Sequence, residues 1–293
     1  MNSHIVTGAD IGGTHITVCK VDLQRNRVLE KTRFRCEINA SQDADAIISA
    51  WAQAIRNCAA IEAHRISPLG IAMPGPFDYE KGISHITGLH KYERLYGLNV
   101  KNMLAAALKI NPEQIRFMND ASAYLLGECS LRGQLANEYV VGITLGTGLG
   151  SAVYNKGQVA EGDLWCMSYA DERAEDYLSA RWFVKELKAR TGRLAHNVEE
   201  IAAMSETDFV AKGLFKEFGN TLAKVLVMRY GKTGHFPSHV IIGGNIARSW
   251  SLFAPHCKAA LDAEGFSNVC LLPAKLGENA ALMGAACLWK VDE

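Results

Sequence analysis

Alternation of apolar and polar residues at two places along the chain predicts β-hairpins, each closed by a glycine-rich turn. Residues 5–9 lead into the first turn and residues 16–21 lead out of it, whereas residues 139–144 and 151–154 flank the second. Glycine permits positive φ angles and lets backbone N–H groups approach an anion closely. The repeated design therefore favours a chain that holds phosphate at both turns. Two ordinary hairpins with tight turns would produce the same pattern.

The rest of the chain alternates between helical spacing and short apolar runs. The spacing predicts helices over residues 44–61, 100–108, 171–191, 215–230 and 277–289. The apolar runs predict strands over residues 28–38, 68–73, 115–118 and 239–242. Because the order hairpin, helix, strand occurs twice, the sequence predicts an α/β fold with two similar lobes and a cleft between them. The first lobe is expected near residues 1–118 and the second near residues 119–278.

Composition narrows the class of protein. The chain has 293 residues, of which 48% are hydrophobic and 21% charged, and its formal net charge is zero. That balance is typical of a soluble protein, and without a long basic run we expect no nucleic-acid partner. The eight cysteines form no C-x-x-C pair, so neither a disulfide framework nor a zinc ribbon is indicated. The N-terminus enters a strand directly and no run is long enough to span a bilayer, so we expect a cytoplasmic protein without a membrane partner.

The two glycine turns carry candidate phosphate ligands. A kinase of an alcohol needs a phosphate cradle, a divalent metal and a carboxylate near the acceptor hydroxyl. At the first turn the cradle would be formed by Gly12, Gly13 and Thr14. At the second turn it would be formed by Gly146, Thr147 and Gly148. Asp10 precedes the first turn and could hold Mg²⁺ through the water shell of the ion. The alternative is that Asp10 only caps the turn.

Two further positions follow predicted strands. Asp120 stands at a strand end, where open α/β sheets place ligand groups, and could accept the proton of the acceptor hydroxyl. The alternative is an N-cap, because aspartate is a preferred capping residue. Gly243 and Gly244 follow the strand over 239–242 and could either end it or let an adenine and a ribose lie against the backbone.

Six motifs in the same order resemble those of the ROK family of sugar kinases and related repressors, which belongs to the actin-like ATPase superfamily. They are Asp10–Thr14, Met73–Pro76, Asn119–Ala123, Leu145–Gly150, Ile242–Asn245 and Gly277–Ala286. The resemblance covers essentially the whole chain. It implies two actin-like, ribonuclease H-like lobes with nucleotide and sugar in the cleft. It also implies that residues 279–293 return to the first lobe.

The resemblance implies ATP-dependent phosphorylation of a hexose, usually at the 6-hydroxyl, with ATP and Mg²⁺. Asp120 would be the general base, and Gly75 and Asn119 would contact the sugar. The nucleotide would lie against Gly243, Gly244 and Asn245. A homodimer is compatible with this family, although the sequence does not define the oligomeric state.

The chain departs from the family pattern at its zinc motif. The family usually shows G-E-x-G-H followed by a cysteine cluster, whereas this chain has Gly162-Asp163-Leu164-Trp165-Cys166 and no cluster. One thiol cannot form a tetrahedral zinc site, so we expect no structural zinc and a segment that is held by packing of its large side chains. Asp163 and Glu175 occupy the positions of sugar-binding residues of the family.

Another departure from the family pattern concerns a residue that would contact the sugar. The family asparagine expected after Gly82 is absent, because the chain has Ile86-Thr87-Gly88-Leu89 there. Altered polar positions argue for an acceptor other than plain glucose. The alternative is that neighbouring residues supply the same contacts, with His90, Tyr92 and Glu93 as candidates.

A second hypothesis from another class is a sugar-responsive regulator. Repressors of the family carry an N-terminal helix-turn-helix, whereas here the first hairpin starts near residue 4. We therefore expect that a regulator of this sequence would act through a protein partner.

Overall fold

A computed structural model describes residues 4–61, 68–88, 91–232 and 235–290 of the protein. The chain divides into two compact units. Unit 1 comprises Met1–Gly133 together with Glu278–Glu293, and unit 2 comprises Gln134–Gly277.

The elements of both units follow in chain order. Unit 1 contains β1 (Ile5–Ile11), β2 (His15–Asp22), β3 (Arg27–Val28), β4 (Phe34–Glu37), α1 (Ala44–Ile61), β5 (Leu69–Met73), β6 (Phe77–Asp78), β7 (Ile83–Ser84), α2 (Val100–Leu108), β8 (Ile115–Asn119) and α3 (Asp120–Leu131). Unit 2 contains β9 (Tyr139–Leu145), β10 (Leu149–Asn155), β11 (Gln158–Glu161), β12 (Ser168–Tyr169), β13 (Glu172–Arg173), α4 (Ala174–Tyr177), α5 (Ala180–Thr191), α6 (Val198–Met204), α7 (Phe209–Tyr230), β14 (His239–Gly243), α8 (Trp250–Ala263) and β15 (Cys270–Pro273). The last helix, α9 (Asn279–Cys287), belongs to unit 1.

The main sheets of the two units have the same order. In unit 1 the strands run β3-β2-β1-β5-β8, with β4 also paired to β2, and in unit 2 they run β11-β10-β9-β14-β15. Each sheet combines an antiparallel hairpin with two strands parallel to the first strand of that hairpin. The prediction of two similar α/β lobes is therefore confirmed, and each predicted hairpin carries its glycine turn.

Each unit has its own hydrophobic core. In unit 1, α1 directs one apolar face onto the sheet, because Ile47, Trp51, Ile55 and Cys58 recur at helical spacing and are all buried. In unit 2 the core between α5, α7 and α8 is aromatic and contains Phe183, Phe215, Phe218 and Phe253. In the described part of the chain no helix is long and apolar enough to cross a bilayer.

Helix α9 packs unusually closely against unit 1. A β-carbon on Gly8 of β1 would overlap the carbonyl group of Leu282, and one on Gly70 of β5 would overlap that of Ala285. On α3, a β-carbon at Gly127 would overlap the carbonyl group of Ala280. Glycine is therefore required at three positions where the backbone of α9 approaches neighbouring backbone.

The contact with α9 also decides where α3 belongs. The sequence division placed residues 119–133 in the second lobe, whereas the compact units divide between Gly133 and Gln134. Residues of α3 and α9 lie against each other along both helices. A β-carbon on Gly284 of α9 would overlap the carbonyl group of Ala123. This packing groups α3 with unit 1.

The predicted helix over residues 171–191 is wrong, because residues 168–173 form the β12–β13 hairpin and two separate helices follow. The chain is extended at Ser179, with φ −137° and ψ 165°. The N–H of Ala180 donates to the carbonyl oxygen of Gly146 at 2.8 Å. A contact with the distant glycine turn thus replaces the helical bond at this point.

The predicted strand over residues 28–38 is also interrupted. A single 3₁₀ turn at Glu30–Thr32 separates β3 from β4. The Thr32 hydroxyl donates to the carbonyl oxygen of Leu29 and accepts from the N–H of Lys20. These side-chain bonds compete with the strand ladder.

We expect Gly127→Ala to lower the free energy of unfolding by about 1–3 kcal/mol or more, because its β-carbon would enter the α9 backbone. Gly213 is a matched control, since it lies inside α7 with open space where its β-carbon would stand. Gly213→Ala should be neutral or stabilising by up to about 1 kcal/mol. Urea unfolding of both variants measures the difference. Equal stability of the two variants would contradict the close packing of α9.

Candidate functional site

The predicted site residues that lie in unit 1 meet at one edge of its sheet. Asp10 is the penultimate residue of β1, and Asn119 is the last residue of β8. Strand β5, which is followed by Gly75, lies between them and parallel to both. The carboxyl ends of parallel strands share one edge of a sheet, which is where open α/β sheets bind ligands. Asp120 follows at once as the first residue of α3.

Asp10 and Asp120 are electrostatically coupled. Burial, and after it the negative charge of Asp120, together raise the pKa of Asp10 to about 6, while the positive charge of Arg35 opposes the rise. Burial of the carboxyl group also raises the pKa of Asp120, although the residue as a whole is exposed, and the hydrogen bond from the N–H of Ala121 and then the positive charge of Lys91 counteract this rise. Two carboxylates with raised pKa values at one edge form an arrangement that a divalent cation would relieve.

Asn119, not Asp120, caps α3. The Oδ1 atom of Asn119 accepts from the N–H groups of Ala121 at 2.9 Å and Ser122 at 3.2 Å. The capping interpretation of Asp120 is therefore wrong, although its Oδ1 atom also accepts from Ala121 at 2.8 Å. The Nδ2 group of Asn119 donates to the hydroxyl of Tyr79 at 3.3 Å.

Tyr79 is a residue of this edge that the sequence did not reveal. Its hydroxyl donates to the carbonyl oxygen of Met73 at 3.2 Å, and it lies 3.1 Å from the point where a β-carbon of Gly75 would stand. Tyr79 thus links the turn after β5 to Asn119. The only signal in the sequence was its position shortly after the Met73–Pro76 motif.

The first glycine turn is fixed from a distant part of the chain. The N–H of Gly12 donates to the carbonyl oxygen of His15 at 2.9 Å, which closes the turn. The carbonyl oxygen of Gly12 accepts a hydrogen bond from the hydroxyl of Tyr92, 80 residues away. Tyr92 is fully buried, so it is not available for the sugar contact considered from sequence. Of the two other candidates, Glu93 is exposed and His90 lies outside the described residues.

In unit 2, the structure brings together the second glycine turn and the motif after β14. Gly243 pairs with Thr144 in the sheet. Gly244 has φ +87°, and a β-carbon there would overlap the backbone of Leu145. Asn245 then begins a short 3₁₀ helix. The backbone of the two motifs is in direct contact, and only glycine permits this at position 244.

The second glycine turn is also bonded to Glu175. The Oε2 atom of Glu175 accepts from the N–H of Leu149 at 3.0 Å, and its Oε1 atom pairs with Arg181 at 3.1 Å. A β-carbon on Gly148 would lie 2.5 Å from this carboxylate. In contrast, nothing lies within 4 Å of the β-carbon position of Gly146, which leaves the turn open there.

The segment at the zinc-motif position packs differently from the expectation. Trp165 is 43% exposed and Cys166 is exposed, whereas Leu164 is fully buried. The expected packing of large side chains is therefore wrong for Trp165 and Cys166, whereas Met167 and Tyr169 are partly buried against the core of unit 2. The exposed Asp163 has φ +53°, and its carbonyl oxygen accepts from the Cys166 thiol at 3.4 Å. Among the described residues, no group of three or more His, Cys, Asp or Glu residues is arranged to hold a metal ion.

The repeated sheet order, with a glycine turn in the leading hairpin of each unit, defines an actin-like ATPase fold. Residues 6–165 match the ROK family. The chain therefore belongs to the ROK family, as its motifs predicted.

Relatives with known names support this membership. A glucokinase of Thermotoga maritima is 28% identical over 156 residues, which cover 53% of this chain and 46% of that enzyme. The chain thus spans about half the length of this relative. A β-glucoside kinase of Listeria monocytogenes is 24% identical over 299 residues, covering 96% and 95% of the two chains.

A solved structure shows the same fold. The ROK family glucokinase of Streptomyces griseus, in complex with glucose and AMPPNP, has a TM-score of 0.71 and 22% identity. The superposition covers 97% of this chain and 98% of that one. The predicted fold class is therefore confirmed.

We expect Asp10→Asn to stabilise the protein at pH 8 in the absence of divalent cations. The pKa of Asp10 rises from 3.8 in the unfolded chain to about 6, so its ionisation opposes folding above pH 6. The gain should reach up to about 3 kcal/mol, decline as pH falls from 6 and vanish below about pH 4, where both states are protonated. Urea unfolding between pH 4 and 8 measures this profile. The exposed Asp171→Asn is the control, and a gain independent of pH would contradict the assignment.

Proposed function

We propose that the protein catalyses ATP-dependent phosphorylation of a hexose or hexose derivative at the 6-hydroxyl, with Asp120 as general base. The observation that carries the proposal is the pair of coupled carboxylates, Asp10 and Asp120, in the unit that holds the first glycine turn. The names of the glucokinase and β-glucoside kinase relatives support a sugar as acceptor. The glucose and AMPPNP complex of the Streptomyces griseus enzyme supports a nucleotide donor.

Asp120 has the chemistry of a general base. Its raised pKa makes the carboxylate a better proton acceptor at neutral pH. In a loose phosphoryl-transfer transition state the hydroxyl proton leaves late, so the position of the base matters more than the size of the pKa shift. Since Asn119 caps α3, Asp120 is free of the main capping role and is held at a fixed point of the helix start.

The nucleotide would be held mainly by backbone. In this proposal the phosphates meet the N–H groups of both glycine turns, contributed by Gly12, Gly13, Thr14, Gly146, Thr147 and Gly148. Adenine and ribose would lie against Gly243, Gly244 and Asn245, of which Gly244 and Asn245 are exposed.

Asp10 would hold Mg²⁺ through its water shell. The site fits this ion, because Mg²⁺ takes few carboxylates and the raised pKa of Asp10 reflects first its burial and then the neighbouring negative charge of Asp120. When bound, Mg²⁺ supplies positive charge that offsets the charge of the phosphate chain. Asp10 would hold the hydrated ion beside the first glycine turn.

The sugar would contact Gly75, Asn119, Asp163 and Glu175. Asn119 would present its Nδ2 side, because its Oδ1 atom caps α3. The Glu175 carboxylate already accepts from the N–H of Leu149 and pairs with Arg181, so a sugar hydroxyl would be a further partner of the same group. A homodimer also stays a prediction, which light scattering would test.

The proposal is tested by an ATP-coupled assay against hexoses, N-acetylhexosamines, ketoses and β-glucosides. ADP release gives the rate, and NMR of the product identifies the phosphorylated hydroxyl. We expect turnover of at least one of these sugars with phosphate on O6. Absence of sugar-dependent ADP release across the panel would refute the kinase proposal.

We expect Asp120→Asn to lower kcat by about 10²–10⁴-fold while sugar affinity changes only a few-fold, because a general base acts in the transition state. The exposed Asp171→Asn serves as the control. Steady-state kinetics and calorimetric sugar binding separate the two effects. Turnover of Asp120→Asn within about tenfold of wild type would exclude Asp120 as base.

We also expect purified, tag-free protein to contain far less than one zinc per chain, because Cys166 is the sole cysteine in the segment 162–175. Burial of Leu164 and Ala174 would hold this segment instead. Metal analysis and melting curves with and without chelator test this. Stoichiometric zinc together with a melting temperature lowered by chelator would show that the segment is misassigned, and the roles of Asp163 and Glu175 would then fall.

A further inference from the structure

Lys91 lies beside the first glycine turn. Its Cδ atom is 3.6 Å from the point where a β-carbon of Gly13 would stand. The lysine is half-buried, and its aliphatic stem lies at ordinary van der Waals distance from the turn. Lys91 is therefore a cation next to the proposed phosphate ligands.

Tyr92 fixes the backbone that carries Lys91. The Tyr92 hydroxyl donates to the carbonyl oxygen of Gly12, and its N–H donates to the carbonyl oxygen of Ala40 at 2.9 Å. Its ring meets Trp51 edge to face, with centroids 5.3 Å apart. Tyr92 also has φ +56°, a left-handed conformation that a tyrosine keeps only where its surroundings hold it. The first glycine turn thus holds Tyr92, and Tyr92 in turn fixes the position of the neighbouring Lys91.

The ammonium group of Lys91 forms no ion pair with the charged residues described around it. Within the described ranges, no hydrogen bond or ion pair joins it to another side chain. Arg35, the other cation that acts on this carboxylate pair, is paired with Glu278 at 3.1 Å. Lys91 does act over distance on Asp120, whose pKa its charge lowers. Among the described residues, this cation near the proposed base and the glycine turn thus has no hydrogen-bond or ion-pair partner.

A transferred phosphoryl group needs such a cation. In the transition state, negative charge spreads over its three equatorial oxygens. Asp10 and Asp120 would repel that charge, and backbone N–H groups supply only partial positive charge. The Mg²⁺ proposed at Asp10 would offset charge along the whole phosphate chain, so a side-chain cation at the transferred group would add to its effect.

We propose that Lys91 binds the phosphoryl group that is transferred and stabilises its charge in the transition state. The proposal rests on the proposed kinase function. It makes Lys91 a catalytic residue, and it makes Tyr92 the residue that positions Lys91 through Gly12. The ligand chemistry is the terminal phosphate of a nucleoside triphosphate.

The test uses Lys91→Met in the full chain, with Lys91→Arg as the conservative variant. Lys109→Met is the matched control, because Lys109 is an exposed lysine that follows α2 in the same unit. Calorimetry with MgCl₂ compares AMPPNP, which contains the terminal phosphate, with ADP, which lacks it. Steady-state kinetics then gives kcat and both KM values on a sugar that the wild type accepts.

We expect Lys91→Met to lower kcat by about 10²–10³-fold, as is found for the loss of one transition-state donor. AMPPNP affinity should fall about tenfold or more, whereas ADP affinity should stay within about twofold. Lys91→Arg should restore part of both losses, because it keeps the charge. Lys109→Met should match the wild type in every measurement.

The outcomes separate the two proposals. A wild type without sugar-dependent turnover would refute the kinase function, and the AMPPNP and ADP comparison would still test Lys91. An unchanged ratio of AMPPNP to ADP affinity in Lys91→Met would overturn the assignment to the transferred phosphate. A change confined to the sugar KM would overturn it in favour of a sugar contact. Equal losses of ADP, AMPPNP and sugar binding would show a structural role only and would also overturn it.

Discussion

The packing of α9 against bare backbone is the constraint on which the candidate site of unit 1 depends. The helix reaches β1 at Gly8, β5 at Gly70 and α3 at Gly127. Each of these elements then delivers a site residue within a short distance along the chain. Asp10 follows Gly8 by two residues, Gly75 follows β5, and Asp120 begins α3. Helix α9 therefore sets the relative positions of β1, β5 and α3, and these three elements carry the residues of the proposed chemistry.

The negative charges of Asp10 and Asp120 at that edge of the sheet lower the stability of the fold. Two carboxylates with raised pKa values oppose folding at neutral pH, and a neutral side chain at Asp10 would be the more stable choice. Natural proteins tolerate such sites where activity requires them. The carboxylates are therefore more simply explained by ligand binding than by stability, which agrees with membership of the ROK family.

Local periodicity predicted what depends on local sequence. The bounds of α1 and α2 agree with the helical spacing over residues 44–61 and 100–108, and both hairpins are found. It could not predict the break at Ser179, because the partner of Ala180 is Gly146, far away in sequence. Lys91 and Tyr92 were missed as partners of the first turn for the same reason, since they lie in irregular chain whose role is defined only by tertiary contact. The exposure of Trp165 was likewise mispredicted, because hydrophobic character alone does not determine burial.

The left-handed backbone at Gly244 has a consequence for motion within unit 2. Because no side chain separates it from Leu145, and because β14 pairs with β9 just before it, we expect residues 243–245 and the turn at 146–148 to move together. Opening of one against the other would break sheet pairing. In unit 2, a bound molecule that touches both segments would therefore meet a preformed surface, and the entropy lost on binding would come from the ligand and from side chains rather than from ordering of this backbone.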